Sequence, residues 1–440
     1  MPSIGDLLDL TIESIAYGGR GLARVDGLVI FVAGVAPGER VRVRVEKLRR
    51  NYAEAQLLAV QESSPDRLPG CCRLPTGART PGCVYDHLAY PAEVALKQRQ
   101  AEEFLRRLPG GAALEFAPPF PSPLDCHYRN KIVLHAARGP RDKLPRLGYY
   151  GEDNRTVIDI PACPLARAEI NTALADFRGS DDFRRLRDEE AVTFRWTAAD
   201  GVIRWRGEAE PKRGHVTEAS PCGSLQVPTD GFYQVNPEVA AELVRQVVAW
   251  FDHTNDSTTC HDRASPCAER PGHLNHVTSA SPLLDLYCGA GVFAIACAKA
   301  GAGPVEGIEG SRSSIAAATE NARTHGVQAV FHCRHMADAA RDAFGGFDLT
   351  RATVIIDPPR QGLEPEVAQA LAAARPARIC YVSCDPATLA RDLKILLPAG
   401  YRLCAARMFD MFPRTAHFEL AVWLTAREYS VNPLTERIYF

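Results

Sequence analysis

The feature that most constrains this chain is the run LLDLYCGAGVFAIACA at residues 283–298, where an apolar strand meets a glycine-rich turn and a helix follows at once. Gly289 and Gly291 let the backbone approach a ligand closely and leave the N-terminus of the helix open to it. About 20 residues further on, Glu309 ends a second strand-like run, VEGIE, where a carboxylate can accept hydrogen bonds from both hydroxyls of a ribose. The spacing D-x-x-C-G-x-G is not the three-glycine dinucleotide fingerprint and fits S-adenosylmethionine better than NAD. A glycine turn on some other α/β fold is the plain alternative. From this turn to about residue 427, strand signals (VIIDPP, RICYVSCD, FELAVWLT) alternate with helix signals (SIAAATENARTHG, LARDLKILLPAG), the pattern of a parallel α/β sheet.

At 440 residues the chain is too long for one ordinary core and suits two or three domains. Residues 1–62 read as a small β-barrel of short alternating runs broken by glycines. In GERVRVRVEK, Val41, Val43 and Val45 fall on one strand face and Arg40, Arg42 and Arg44 on the other. Lys47, Arg49, Arg50 and Tyr52 follow, so the outer face is either a solvated surface or a basic, RNA-facing one. AYGGRGLAR followed by VIFVAGVAPGE resembles the TRAM domain, an OB-like RNA-binding barrel. Residues 63–229 are expected to form a central α+β domain. It opens with a Pro-, Gly- and Cys-rich segment, at 63–90, that needs something other than a core to hold it. A polar helix follows near 91–108 and is expected to pack on the catalytic domain. Residues 230–427 form the α/β domain, interrupted by a polar stretch at 252–281 that reads as a mobile insertion, and 428–440 is a tail. In 252–281, Cys260, His261, Cys267, His273 and His276 invite a zinc reading, but no strand or helix would position them.

The hydrophobic fraction of 46% and charged fraction of 24% suit a soluble globular protein. No run nears the roughly 18 apolar residues of a membrane helix, and MPSIGDLLDLTIESI lacks the form of a signal peptide. A cytoplasmic, monomeric protein without a membrane partner is expected. The net charge of −2 decides nothing about nucleic acid, because only the distribution of charge matters there.

Two further motifs carry chemistry. VIIDPPRQGLEP places Asp357 at the end of an apolar strand, where ligands sit on an open α/β sheet, and D-P-P there resembles the signature of methylases acting on planar nitrogenous rings. YVSCDPATLARDL places Cys384 at the tip of the next strand, before a helix that follows Pro386. Backbone N–H groups at such a helix start should favour the thiolate.

Together with GFYQVNP and FDMFPRTAHFEL, these motifs resemble the RNA uracil-5-methyltransferase family that modifies tRNA and 23S ribosomal RNA, in its TRAM-bearing, iron–sulfur branch. The resemblance implies a Rossmann-like class I methyltransferase domain, S-adenosylmethionine as cofactor and RNA as partner, with ribosomal RNA preferred and tRNA the alternative. A catalytically weak RNA-binding relative is the other alternative. It makes Cys384 the nucleophile and Glu419 the proton acceptor, with cofactor contacts at Gln234, Tyr287, Glu309 and Asp357. The chemistry needs both groups. Uracil carbon 5 is a weak nucleophile until a thiolate adds to carbon 6, and a base must then remove the carbon 5 proton. Two departures stand out: Asp385 replaces the family's usual Asn and should raise the cysteine's pKa, and Val292 replaces a common polar cofactor contact.

Fourteen cysteines in a cytosolic chain would rarely form disulfides. The iron–sulfur branch carries C-x5-C-G-G-C plus a distant fourth cysteine. Here Cys163 matches the distant one and Cys83 the last of the cluster, while Thr80 stands where a cysteine is usual. Cys71 and Cys72 are the remaining expected ligands of a structural 4Fe–4S cluster, with zinc on the same four residues, or no metal, as rivals.

Overall fold

Period-two alternation builds the first sheet of the computed structural model, which describes residues 2–75, 77–139, 143–207, 211, 213–253 and 281–426. Strands β1 (Leu7–Thr11), β2 (Ser14–Ile15), β3 (Arg20–Val25), β4 (Leu28–Ala33), β5 (Arg40–Leu48) and β6 (Tyr52–Glu62) lie in the order β1-β5-β6-β4-β3-β2. In β5, Val41, Val43 and Val45 are buried and Arg40, Arg42 and Arg44 exposed. Part of the basic face is neutralised locally: Arg40 pairs with Glu62 at 3.3 Å, Arg42 with Asp9 at 2.8 Å and Lys47 with Glu54 at 3.0 Å. Such exposed pairs are weak, so a phosphate could compete for these cations.

Between β6 and helix α1 (Tyr90–Arg106) the described residues have only isolated bridges, Arg67 with Leu88 and Arg73 with Arg79. Neighbouring cores nonetheless hold it. Tyr85 and Leu88 pack with the first sheet, and Cys72, Leu74 and Cys83 with the central one. The expectation that something other than a core must hold this segment is corrected to that extent.

The central sheet contains β7 (Lys131–Ala137), β8 (Arg146–Tyr150), β9 (Val157–Asp159), β10 (Ala191–Thr197) and β11 (Gly201–Arg206), in the order β11-β10-β7-β8-β9. Helices α2 (Ala168–Arg178) and α3 (Asp181–Arg184) pack Ile170, Leu174, Phe177 and Phe183 into its core. A hairpin of β12 (His215–Ser220) and β13 (Gly223–Pro228) leads to α4 (Pro237–His253). Most of the stretch at 252–281, with its Cys and His residues, and the tail at 428–440 lie outside the described residues.

The last sheet alternates strand and helix: β14 (Leu283–Leu286), α5 (Val292–Lys299), β15 (Val305–Glu309), α6 (Arg312–Thr324), β16 (Val330–Cys333), α7 (Met336–Arg341), β17 (Thr353–Ile356), α8 (Pro365–Ala374), β18 (Arg378–Ser383) and α9 (Pro386–Leu396), closing with β19 (Tyr401–Phe409) and β20 (Glu419–Ala426). The order is β16-β15-β14-β17-β18-β20-β19, with β20 antiparallel to both of its neighbours. Successive strand residues feed opposite cores. Leu284, Leu286, Val354, Ile356 and Tyr381 pack on the side of α1, α8 and α9, whereas Leu283, Ile355, Cys380 and Val382 pack on the side of α4 and α5. Burial on both faces is why these strands read as continuous apolar runs. The order reverses between β14 and β17, which opens a crevice at the strands' carboxyl ends. No helix among the described residues is long and apolar enough to cross a membrane.

Candidate active site

The crevice collects the ends of β14, β15 and β17. Leu286 stands opposite Ile308 on one side and Ile356 on the other, so Tyr287, Glu309 and Asp357 take the next positions along one edge. Asp285 is buried and its Oδ2 accepts the Ala294 N–H at 3.0 Å, which pins the glycine turn to the first turn of α5. Burial raises its carboxyl well above the ordinary range. Tyr287, Gly289 and Gly291 all have positive φ, of 63°, 53° and 84°. At Gly291 a Cβ would meet Phe331 Cζ at 3.1 Å and Ala318 Cβ at 3.2 Å, so both conformation and packing require glycine. As the N-cap of α5, Gly291 brings no side chain to the first-turn amides. The Tyr287 hydroxyl donates to Glu364, and Glu309 Oε1 accepts from Ser311 N at 2.8 Å. Burial pushes the Asp357 carboxyl up to about 7. Gln234 lies apart from this edge in sequence, half-buried on the loop before α4, where its backbone carbonyl accepts from Asn130 Nδ2 at 3.5 Å.

Cys384 follows the last residue of β18, and Glu419 is the first residue of β20. Ser383 pairs with Leu420, so Cys384 and Glu419 meet at the next position of the same antiparallel pair. Glu419 is buried, and among the described residues its Oε2 has no hydrogen-bond partner. Burial first, then the Asp357 charge, raises its carboxyl well above the ordinary range, against the pull of Arg360. The half-buried Cys384 thiol is pushed up to about 12, by burial first and then by Glu419, with Arg360 opposing. The expected thiolate at the helix start is therefore corrected: a terminal dipole effect of about 1 kcal/mol loses to burial beside carboxylates. Asp385 contributes least among the groups raising the thiol. It is the N-cap of α9, accepting from Ala387 N at 2.8 Å and Thr388 N at 3.1 Å, a role Asp and Asn fill equally well.

The segment leading into Glu419 is tied down by residues that sequence reasoning missed. Lys97 of α1 is fully buried and donates to Glu93 Oε1 and Asp410 Oδ1, both at 2.7 Å, and to the Phe412 carbonyl at 3.1 Å. Arg414 donates its backbone N–H to Glu93 Oε1 at 2.7 Å and pairs with Asp125, while its carbonyl accepts from Val84 N at 2.8 Å and Tyr85 N at 3.1 Å. In a polar helix Lys97 reads as one more solvated cation, so no sequence signal could have singled it out. Beside this segment, a cavity of about 560 Å³ is lined by residues of the first, central and last sheet regions, among them Tyr17, Arg129, His135, Tyr149, Arg360 and His417.

The thiols group differently from the four singled out by sequence. Cys71 Sγ lies 3.7 Å from both Cys72 Sγ and Cys126 Sγ, and all three lie within 4.8 Å of one another. Cys83 is a hydrogen-bond neighbour of Cys72. Cys163, buried in the same core as Cys72 and Cys83, accepts the Tyr149 hydroxyl at 3.3 Å. Cys126, alone in SPLDCHYRN, had no cysteine spacing to mark it. A cubane cluster seats each cysteine on its own iron, well apart from the others, so sulfurs this close together are too tightly spaced for the expected 4Fe–4S site.

A seven-stranded sheet of this order, with a glycine turn at its switch point and acidic residues along that edge, defines a class I methyltransferase fold. The model of the tRNA (uracil-5-)-methyltransferase family matches residues 274–427, and that of the TRAM domain matches residues 3–58. The 23S rRNA (uracil(1939)-C(5))-methyltransferase of Pseudomonas entomophila is 31% identical over 94% of this chain and 93% of its own length. An uncharacterized RNA methyltransferase of Gloeobacter violaceus is 30% identical over 96% of both chains. Among solved structures, the Pyrococcus abyssi tRNA (uracil-54, C5)-methyltransferase with S-adenosyl-L-homocysteine shares the fold. It superposes with a TM-score of 0.68 over 95% of this chain and 100% of that one, at 23% identity. The chain belongs to the RNA uracil-5-methyltransferase family, and its cofactor is S-adenosylmethionine.

Proposed function

We propose that this enzyme methylates carbon 5 of a uridine in 23S ribosomal RNA, acting as a cytoplasmic monomer through a covalent adduct on Cys384. The observation that carries the reading is the meeting of Cys384 and Glu419 at the open end of β18 and β20, beside Asp357. Cys384, its thiol proton lost to solvent, bonds through sulfur to uracil carbon 6, and the carbon 5–carbon 6 π pair shifts to the carbon 4–carbon 5 bond, leaving the charge on oxygen 4 as an enolate. Bound adenosylmethionine supplies an electrophilic methyl group, which carbon 5 can then take. Glu419, as carboxylate, receives the carbon 5 proton. The electron pair left behind restores the double bond and expels Cys384. Tyr287, Gly289, Glu309 and Asp357 line the edge that would hold the cofactor, and Gln234, on the loop before α4, is the further expected contact. Residues 1–62 and 63–229 would grip the RNA, and 230–427 carry out the transfer. The target base must leave its stack to reach a strand-end thiol.

The ribosomal substrate is supported by what the curated Pseudomonas relative is named for. The 4Fe–4S cluster expected on Cys71, Cys72, Cys83 and Cys163 is not part of this reading, because Cys71 and Cys72 crowd together with Cys126 at the spacing of a single ion. Incubating the full chain with 5-fluorouridine RNA and adenosylmethionine should trap a covalent adduct that Cys384→Ala abolishes. An adduct that persists in that variant would sink the mechanism. Mapping 5-methyluridine in ribosomal RNA and tRNA from a deletion strain tests the substrate, and loss confined to tRNA would overturn the ribosomal assignment.

A further inference from the structure

We propose that Cys71, Cys72 and Cys126 bind a single thiophilic divalent ion of the zinc type, with Cys83 as fourth ligand and Cys163 outside the site. A tetrahedral ion with metal–sulfur bonds of about 2.3 Å holds its thiolates about 3.8 Å apart. The Cys71–Cys72 and Cys71–Cys126 separations, 3.7 Å each, match that edge. The three sulfurs come from two segments remote in sequence, and no packing need explains their convergence: Cys71 is exposed and Cys126 half-buried. Cys83, buried and a hydrogen-bond neighbour of Cys72, supplies the fourth corner.

Thr80 and Cys163 adjoin the core that holds Cys72 and Cys83: Thr80 N donates to the Cys72 carbonyl at 2.8 Å, the Thr80 carbonyl accepts from Cys83 N at 3.1 Å, and Cys163 packs in that core. Thr80 and Cys163 line the large cavity, which none of Cys71, Cys72, Cys83 and Cys126 borders. Thr80 is buried, and among the described residues its hydroxyl has no partner, so it offers no soft donor where a thiolate would be needed. Position 80 thus supplies no thiolate, while Cys126 Sγ, 3.7 Å from Cys71 Sγ, completes a compact donor set.

The site would act as a clamp. The neighbours of its ligands converge on Arg414: Asp125 pairs with the guanidinium, and Val84 N and Tyr85 N donate to the carbonyl. An ion joining residues 71–72, 83 and 126 would close a collar around that residue, in the segment that leads into Glu419. A tetrathiolate ion carries net negative charge, and the Arg414 guanidinium stands beside it to balance part of that charge.

The test uses the full chain, purified anaerobically from cells supplied with both zinc and iron, and measures metal and acid-labile sulfide per chain. We expect about one zinc and no sulfide, and replacement by cobalt(II) should give the visible bands of a tetrahedral thiolate site. Cys126→Ser should lose most of the metal and Cys163→Ser keep it. If Cys126→Ser does not fold, Cys126→His should still bind cobalt, with bands shifted as expected for three sulfurs and one nitrogen. That rescue is one a purely structural cysteine would not show. Iron and sulfide in cubane proportion, retained in Cys126→Ser and lost in Cys163→Ser, would overturn the proposal. So would a chain purified from the zinc-supplied cells with no bound metal. Each readout is of metal alone, so it stands or falls independently of the methylation reading.

Discussion

Replacing Lys97 by Met tests whether the segment before Glu419 is held by a buried charge network. Met fills much the same volume but removes an ammonium that is fully buried and sits 2.7 Å from both Glu93 and Asp410. Breaking a buried pair by removing one partner costs about 3–5 kcal/mol, because the remaining charge is left uncompensated. At about 1.4 kcal/mol per decade, that is a loss of roughly two to three and a half orders of magnitude in the folding equilibrium. Urea unfolding followed by tryptophan fluorescence should show the transition displaced to lower denaturant. The loss should also depend on pH with a definite sign. Burial already pushes the Glu93 carboxyl up to about 7 against the pull of Lys97, so removing Lys97 raises it further. A carboxyl raised on folding contributes stability below its unfolded pKa that disappears as pH rises through its folded value. The penalty should therefore be larger at pH 8 than at pH 5, where the stranded Glu93 carboxylate takes up a proton. Adding Asp410→Asn should recover part of it, since Glu93 keeps Arg414 as a partner at 3.2 Å. An unchanged midpoint at pH 8, or a loss equal at both pH values, would refute the picture of a charged network.

Three further outcomes follow from the site itself. Cys384, with its thiol near 12, should alkylate slowly at neutral pH and about tenfold faster per pH unit above it, with the exposed Cys333 and Cys404 as internal references in peptide mapping; a rate that levels off near neutrality would refute the raised pKa. Asp385→Asn should preserve the cap of α9 and change stability by less than about 0.5 kcal/mol, while Asp385→Ala should cost about 1 kcal/mol in thermal or chemical unfolding; equal losses would show that capping is not its role. Gly291→Ala should cost about 1–2 kcal/mol in backbone strain and, by displacing the turn from Phe331, weaken adenosylmethionine binding more than tenfold by calorimetry; unaltered binding would remove that turn from the cofactor site.

How much of this fold was legible varied with the kind of signal. Arg40 to Val45 alternate so strictly that their faces could be assigned residue by residue, because a strand's period is fixed by backbone geometry. The apolar strands of the last sheet and the turn at Gly289 and Gly291 were equally plain, since a parallel sheet buried on both faces leaves little freedom in composition. The segment at 63–89 was not. It has no period of its own, and Tyr85, Leu88, Cys72 and Leu74 are buried by partners that become neighbours only once both flanking sheets exist.

The same division runs through the site. Cys384, Glu419 and Asp357 could be located because each terminates a recognisable strand, and strand ends on one edge of a sheet are necessarily close. Their acid–base state could not, because desolvation depends on everything packed around a group and no motif records it. A helix start argues for a thiolate; burial beside Glu419 and Asp357 argues more strongly against it, and Arg360 offsets only part. The result has a chemical consequence. A thiol held near 12 beside a carboxyl raised above its ordinary range is a poor nucleophile in the free enzyme, protected from adventitious electrophiles. Activation must then arrive with the substrate, whose phosphates and ring carbonyls change the local charge and whose binding changes the solvation that sets both groups. On that argument Arg360, exposed and already the main cation opposing both shifts, is the residue through which RNA binding would most directly alter the reactivity of Cys384.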